Sequence, residues 1–177
     1  MRMNKKGSIV FLSIRFPIEG DSDMYKDLMI ELNNSGEKVF IICPNNKKAK
    51  KKYKFFDLED KLRVFRIPIN WINSKNLYVR GILELILPLS QLAILLYINF
   101  SSKINLIISS TPPITSVFAI APIKLITKAK WNLILRDITP QNAVDLQLLR
   151  KYSPGWLILR SSEYLSYLFA DRIGCMS

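Results

Sequence analysis

Residues 9–43 read IVFLSIRFPIEGDSDMYKDLMIELNNSGEKVFIIC, two apolar runs on either side of a helical pattern. Ile9-Val10-Phe11-Leu12 and Val39-Phe40-Ile41-Ile42-Cys43 are short, unbroken and rich in β-formers, as strands buried on both faces are. Between them Asp21, Ser22 and Asp23 offer N-caps, Met24, Leu28 and Leu32 fall on one helical face, and Asn34-Ser35-Gly36 supplies a stop. The stretch is a βαβ unit with a right-handed crossover, and a parallel sheet follows from it.

The alternation continues downstream. Residues 62–69, 104–108, 131–135 and 172–176 read as strands, and 114–127, 143–150 and 156–170 as helices. The expected fold class is α/β, a Rossmann-like parallel sheet flanked by helices. A length of 177 residues suits one such domain, and 49% hydrophobic against 23% charged residues excludes a disordered chain. Residues 78–100 are the most apolar, and 82–98 approach the length of a short membrane span. Glu84, Pro88, Ser90 and Gln91 interrupt them, so a buried helix against the sheet is expected, with membrane contact along one face left open. An integral membrane protein is the competing reading of this segment.

Charge narrows the partners. With 26 Lys+Arg against 14 Asp+Glu and no histidine, the net charge is +12, which calls for an anionic partner. Nucleic acid, an anionic membrane surface and a phosphorylated substrate all answer to that, and a basic nucleic-acid-binding module is one alternative class. Six lysines, Lys47, Lys48, Lys50, Lys51, Lys52 and Lys54, crowd one polar stretch, a solvated loop that would also attract an anionic bilayer. Cys43 and Cys175 stand far apart in apolar runs without a CxxC pair, so both are expected as buried thiols, not as zinc ligands. The basic start of the chain lacks an apolar run long enough for an export signal, so a cytoplasmic location is the expectation.

In open parallel sheets ligands bind beyond the carboxyl ends of the strands. Three segments there carry polar chemistry: Arg15-Phe16-Pro17-Ile18-Glu19-Gly20, Ser109-Ser110-Thr111-Pro112-Pro113, and Arg136-Asp137-Ile138-Thr139-Pro140-Gln141. In that order and spacing, FPxEG, the S-(S/T)-P-P turn and R-D-x-x-P-(E/Q)-x-(A/S)-V resemble family 4 glycosyltransferases of the GT-B fold that build bacterial surface polysaccharides. The branch that includes N-acetylfucosamine transferases is the most similar, and Ala170-Asp171-Arg172-Ile173 fits it as well.

The resemblance implies two Rossmann-like domains facing a cleft, of which residues 1–177 would be the N-terminal, acceptor-side one. The donor-binding domain and its E-x7-E motif would lie outside this chain. It further implies a retaining transfer from a nucleotide-diphosphate sugar to a polyprenyl-diphosphate-linked acceptor in O-antigen or capsule assembly, at the inner face of the cytoplasmic membrane. Asp137 would orient an acceptor hydroxyl or the sugar, and Arg136 would stabilise the leaving diphosphate. Glu19, Gly20, Thr111, Pro112 and Gln141 would line the acceptor and donor site, with Asp21 placed where a second glycine is usual. An Arg–Asp pair capping the sheet edge is the structural alternative for Arg136 and Asp137. No cofactor and no metal are expected, since basic side chains and helix N-termini would carry the diphosphate. Nucleic acid is not expected as a partner; a single-domain nucleotide-binding protein is the other alternative.

Overall fold

The computed structural model describes residues 7–17, 21–45, 56–59, 61–69 and 77–175. In chain order the elements are β1 (Ser8–Leu12), α1 (Met24–Asn34), β2 (Lys38–Pro44), β3 (Phe56–Glu59), β4 (Leu62–Ile67), α2 (Leu77–Ser101) and β5 (Ile104–Ser110). A 3-10 turn (Ile114–Ser116) then leads into α3 (Val117–Thr127), β6 (Lys130–Leu135), α4 (Gln141–Asp145), α5 (Pro154–Phe169) and β7 (Arg172–Cys175). The strands form one sheet in the order β3-β4-β2-β1-β5-β6-β7. Six of them run parallel, as the βαβ reading predicts. The seventh, β3, pairs antiparallel with β4 at the edge and was not foreseen.

Local chemistry sets the helix ends. The Asp23 side chain accepts the Lys26 N–H at 2.8 Å and so caps α1, while Gly36, at φ 87°, takes the left-handed conformation that closes it. Ser153 caps α5 by accepting from the Trp156 N–H, and Pro154 enters at the first helical position, where its missing N–H costs nothing.

The sheet is covered on both faces. The α2, α3 and α5 helices lie on one, burying Val10, Leu12, Leu95, Ile98, Ile120 and Trp131 in the larger core. The α1 helix lies on the other, over Phe11, Ile41 and Val64. The face it buries is Tyr25, Lys26 and Met29, not Met24, Leu28 and Leu32: Met24 and Leu28 point to solvent and Leu32 is half-buried. Periodicity allows either stripe, and stacking of Tyr25 on Phe11 at 5.5 Å between ring centroids decides for the first. Two further expectations are corrected. Cys43 is buried but Cys175, on the edge strand β7, is exposed, and 143–150 yields only the short α4 followed by turns.

At the start of β7, Asp171 fastens the last helix to the sheet. Its carboxylate accepts the Trp131 N–H at 2.7 Å and pairs with Lys124, whose ammonium also reaches the Phe169 carbonyl. The Lys124 hydrogen bond, aided by the Trp131 N–H, holds the Asp171 carboxyl below the usual range. A lowered folded pKa means stability present above the ordinary carboxylate pKa and lost as pH falls through the folded one.

Candidate functional site

In this strand order the chain leaves β1 toward β2 by a helix on one face, and later leaves β5 toward β6 by a helix on the other. The topological switch point therefore lies between β1 and β5, and it is beyond the carboxyl ends of these strands that open α/β sheets form their ligand crevice. Hydroxyls line it. Ser110 Oγ donates to Ser13 Oγ at 3.2 Å and Ser13 Oγ to the Arg15 carbonyl at 2.8 Å, which fixes how the chain turns out of β1.

Thr111 is the joint on the other side. Its N–H donates to the Ile134 carbonyl at 3.0 Å, and its hydroxyl oxygen accepts the N–H groups of Arg136 at 2.9 Å and Asp137 at 3.3 Å. Thr111 is buried, so it shapes the site through the loop it holds and presents no hydroxyl of its own. Replacing it with valine removes one acceptor from two backbone donors at a cost of about 1–3 kcal/mol. The expected result is faster hydrogen exchange at the Arg136 and Asp137 amides, with protection kept in Thr111→Ser; unchanged exchange in Thr111→Val contradicts this role.

Held in this way, Arg136 reaches back over the crevice, its guanidinium carbon 5.8 Å from the centroid of Tyr25 in the first turn of α1. This cation–π contact joins the β6 loop to the β1 side of the switch point. Asp137 is exposed and forms no ion pair with Arg136; its nearest polar partner is Asn142 Nδ2, at 3.5 Å. The Arg–Asp pair considered as the structural alternative is therefore not formed. Gln141 is exposed and donates along its own helix to Asp145 Oδ1 at 2.6 Å, while Pro112 is half-buried under the turn. Glu19, Gly20 and the six lysines of 47–54 lie outside the described residues.

Two cations at this edge were missed. Arg66, almost wholly buried at the end of β4, donates through Nη2 to the Pro17 carbonyl at 3.2 Å and through Nη1 to Cys43 Sγ at 3.6 Å, bracing the loop after β1 from below. Lys26, also buried, donates to the Asp21 carbonyl at 2.5 Å. Two arginines, Arg63 and Arg66, inside the Leu62–Ile67 strand were the available signal. With Arg136 and the exposed Arg15 they bring four cations to the carboxyl end of the sheet.

Desolvation and the hydrogen bond to Glu163 push the Tyr167 hydroxyl up to about 12, but Tyr167 lies on α5, and Asp171 lies at the opposite edge of the sheet. Both serve the packing of α5. Among the described residues no group of three or more His, Cys, Asp or Glu is placed to hold a metal ion.

Among solved structures the chain is similar to the catalytic domain of starch synthase IV from Arabidopsis thaliana, determined bound to ADP and acarbose. The TM-score is 0.50 at 14% identity, over 74% of this chain and 34% of that one. The shared fold is an α/β, Rossmann-like parallel sheet flanked by helices. At that identity the likeness speaks for the fold alone, and this chain spans about a third of the length it is compared with. No protein-family model and no curated sequence matches the chain.

Proposed function

We propose that this chain forms the acceptor side of a retaining glycosyltransferase that moves a sugar from a nucleotide diphosphate to a polyprenyl-diphosphate-linked acceptor. Assembly of O-antigen or capsule at the cytoplasmic face of the inner membrane is the setting this reading fits. The observation that carries it is that, at the carboxyl edge of a Rossmann-like sheet, Arg136 reaches across to Tyr25 while the exposed Asp137 carboxylate beside it makes no ion pair with it.

In the proposed reaction the acceptor hydroxyl oxygen bonds to the anomeric carbon as the bond from that carbon to the diphosphate breaks. The diphosphate departs with the electron pair, and the hydroxyl proton passes to its oxygen on the same face of the sugar. Asp137 accepts a hydrogen bond from the acceptor hydroxyl and so orients it, and Arg136 stabilises the charge growing on the diphosphate. Cationic side chains serve that charge without a metal ion.

The test is calorimetric titration of the chain with a short-chain prenyl-diphosphate saccharide, a nucleotide sugar and duplex DNA. The saccharide is expected to bind and the nucleotide sugar only weakly. Nucleotide-sugar binding at about micromolar, worth about −8 kcal/mol, overturns the acceptor-side reading in favour of a single-domain nucleotide-binding protein. Salt-sensitive DNA binding without saccharide binding overturns it in favour of a nucleic-acid module.

A further inference from the structure

The α2 helix is built inside out. Toward the sheet it buries Leu87, Leu95 and Ile98, but also Gln91, whose amide nitrogen and oxygen both lack a hydrogen-bond partner. Toward the outside, Ile82, Leu85, Leu89, Leu96, Tyr97 and Phe100 form a stripe in which Leu89 is 67% and Phe100 95% exposed. No acidic or basic side chain stands on that stripe among those described. From Ile82 to Phe100 it runs about 27 Å at helical rise, a contiguous apolar stripe of the sort that marks an interaction surface.

Neighbouring helices extend the face. On α3, Phe118 and Leu125 are exposed seven residues apart, and on α5 Leu157, Tyr164 and Leu168 are exposed at spacings of seven and four. Lys124 is turned inward to Asp171, whereas Arg160, paired with the buried Glu163, stays exposed on α5 beside Leu157 and Tyr164 as a cation on this face. Between α2 and the β3–β4 edge an aromatic groove of about 490 Å³ is lined by Phe40, Phe56, Phe65 and Tyr97, with Arg63 beside them. The helix is long and apolar enough to cross a membrane, but a third of that stretch is buried against the sheet, and this face offers lipid one side of a helix only.

Charge identifies the occupant. The amino ends of the parallel strands share one edge, and Lys38, Lys61, Lys103, Lys130 and Arg172 stand there exposed, beside the end of α2 where Phe100 protrudes. A wide apolar face with cations along its rim matches a bilayer interface with anionic headgroups, which attract such cations. A partner protein helix would need no such rim.

We infer that the outer face of α2, continued by α3 and α5, lies in the interface of an anionic membrane with the lysine edge on its headgroups. The inference rests on the membrane setting proposed above and replaces a purely electrostatic attachment through residues 47–54 with a docking face of defined residues. These helices begin at the carboxyl edge of the sheet, so a bilayer along them stands beside the crevice, within reach of a lipid-linked acceptor.

The test is co-sedimentation of the chain with phosphatidylcholine vesicles, with and without phosphatidylglycerol. The unaltered chain is expected on the anionic vesicles, with Leu89→Glu/Leu96→Glu/Phe100→Glu lowering partition by about tenfold or more at an unchanged melting temperature. Lys61→Gln/Lys103→Gln/Lys130→Gln, which leaves the apolar face intact, is expected to weaken binding in low salt by a similar factor. If the stripe variant binds as well as the unaltered chain while serine at Lys47, Lys48, Lys50, Lys51 and Lys52 abolishes binding, the docking face is wrong and the membrane setting stands. If the chain binds neither vesicle, the membrane setting falls with it. If sedimentation velocity instead shows a dimer that the stripe variant dissociates, the face belongs to a second copy and the inference is overturned.

Discussion

Trp131→Ala is expected to lower the melting temperature of the chain by roughly 10 °C or more. Among the described residues Trp131 is the largest fully buried side chain, packed in the core between the sheet and α2, α3 and α5. Its indole N–H donates to Ser109 Oγ at 2.9 Å, and its own backbone holds Asp171 from both sides, by the N–H at 2.7 Å and by the carbonyl at 2.9 Å. Truncation to alanine removes the indole and leaves a cavity, together worth roughly 3–5 kcal/mol, a large part of the stability of any single domain. Trp131→Phe keeps most of the apolar volume and loses the Ser109 bond, so its cost is expected at about 1–2 kcal/mol. Thermal melts followed by circular dichroism separate the two, and equal losses in both variants place the role of Trp131 in the hydrogen bond and not in packing.

The strands were legible because unbroken apolar runs bounded by polar turns leave few alternatives, and because β-branched and aromatic residues carry the pattern of burial on two faces. What escaped was set by tertiary geometry. Phe56–Glu59 alternates like a half-buried strand, but next to the lysine stretch its pairing depends on β4, which no local signal announces. The α1 helix offers two apolar stripes, and only Phe11 beneath it selects Tyr25 and Met29. Composition alone places α2 among buried helices, since nothing in it tells whether Leu89 or Gln91 faces out.

At the site, the positions of Arg136, Asp137 and Thr111 followed from their place after apolar strands, but their orientations did not. That the Thr111 hydroxyl turns inward to the amides of Arg136 and Asp137, and that Arg136 crosses to Tyr25, follows from register between β5 and β6 and from the packing of α1. Arg66 shows the converse. A charge within an apolar strand marked it in the sequence, but its purpose appears only when Pro17 and Cys43 are folded over it.

In the catalytically complete protein, Asp137→Ala is expected to lower turnover by on the order of 10²–10³-fold, with a change in melting temperature of no more than about 2 °C. Asp137 is exposed, its carboxylate meets only the Asn142 amide at 3.5 Å, and no apolar neighbour depends on it, so little stability is at stake. The proposed role is to orient the acceptor hydroxyl as the anomeric bond forms, an interaction strongest in the transition state; its loss falls on kcat more than on KM. Asp137→Asn keeps a hydrogen-bond acceptor without the charge and is expected to lie between the two. Arg136→Ala is expected to fall by a similar factor for a different reason, and Arg136→Lys to recover little, because an ammonium does not reproduce the planar guanidinium over Tyr25. Steady-state transfer assays beside thermal melts decide the matter. If Asp137→Ala keeps near-normal turnover, the carboxylate is outside the reaction, and if it melts far below the unaltered protein, its role is structural.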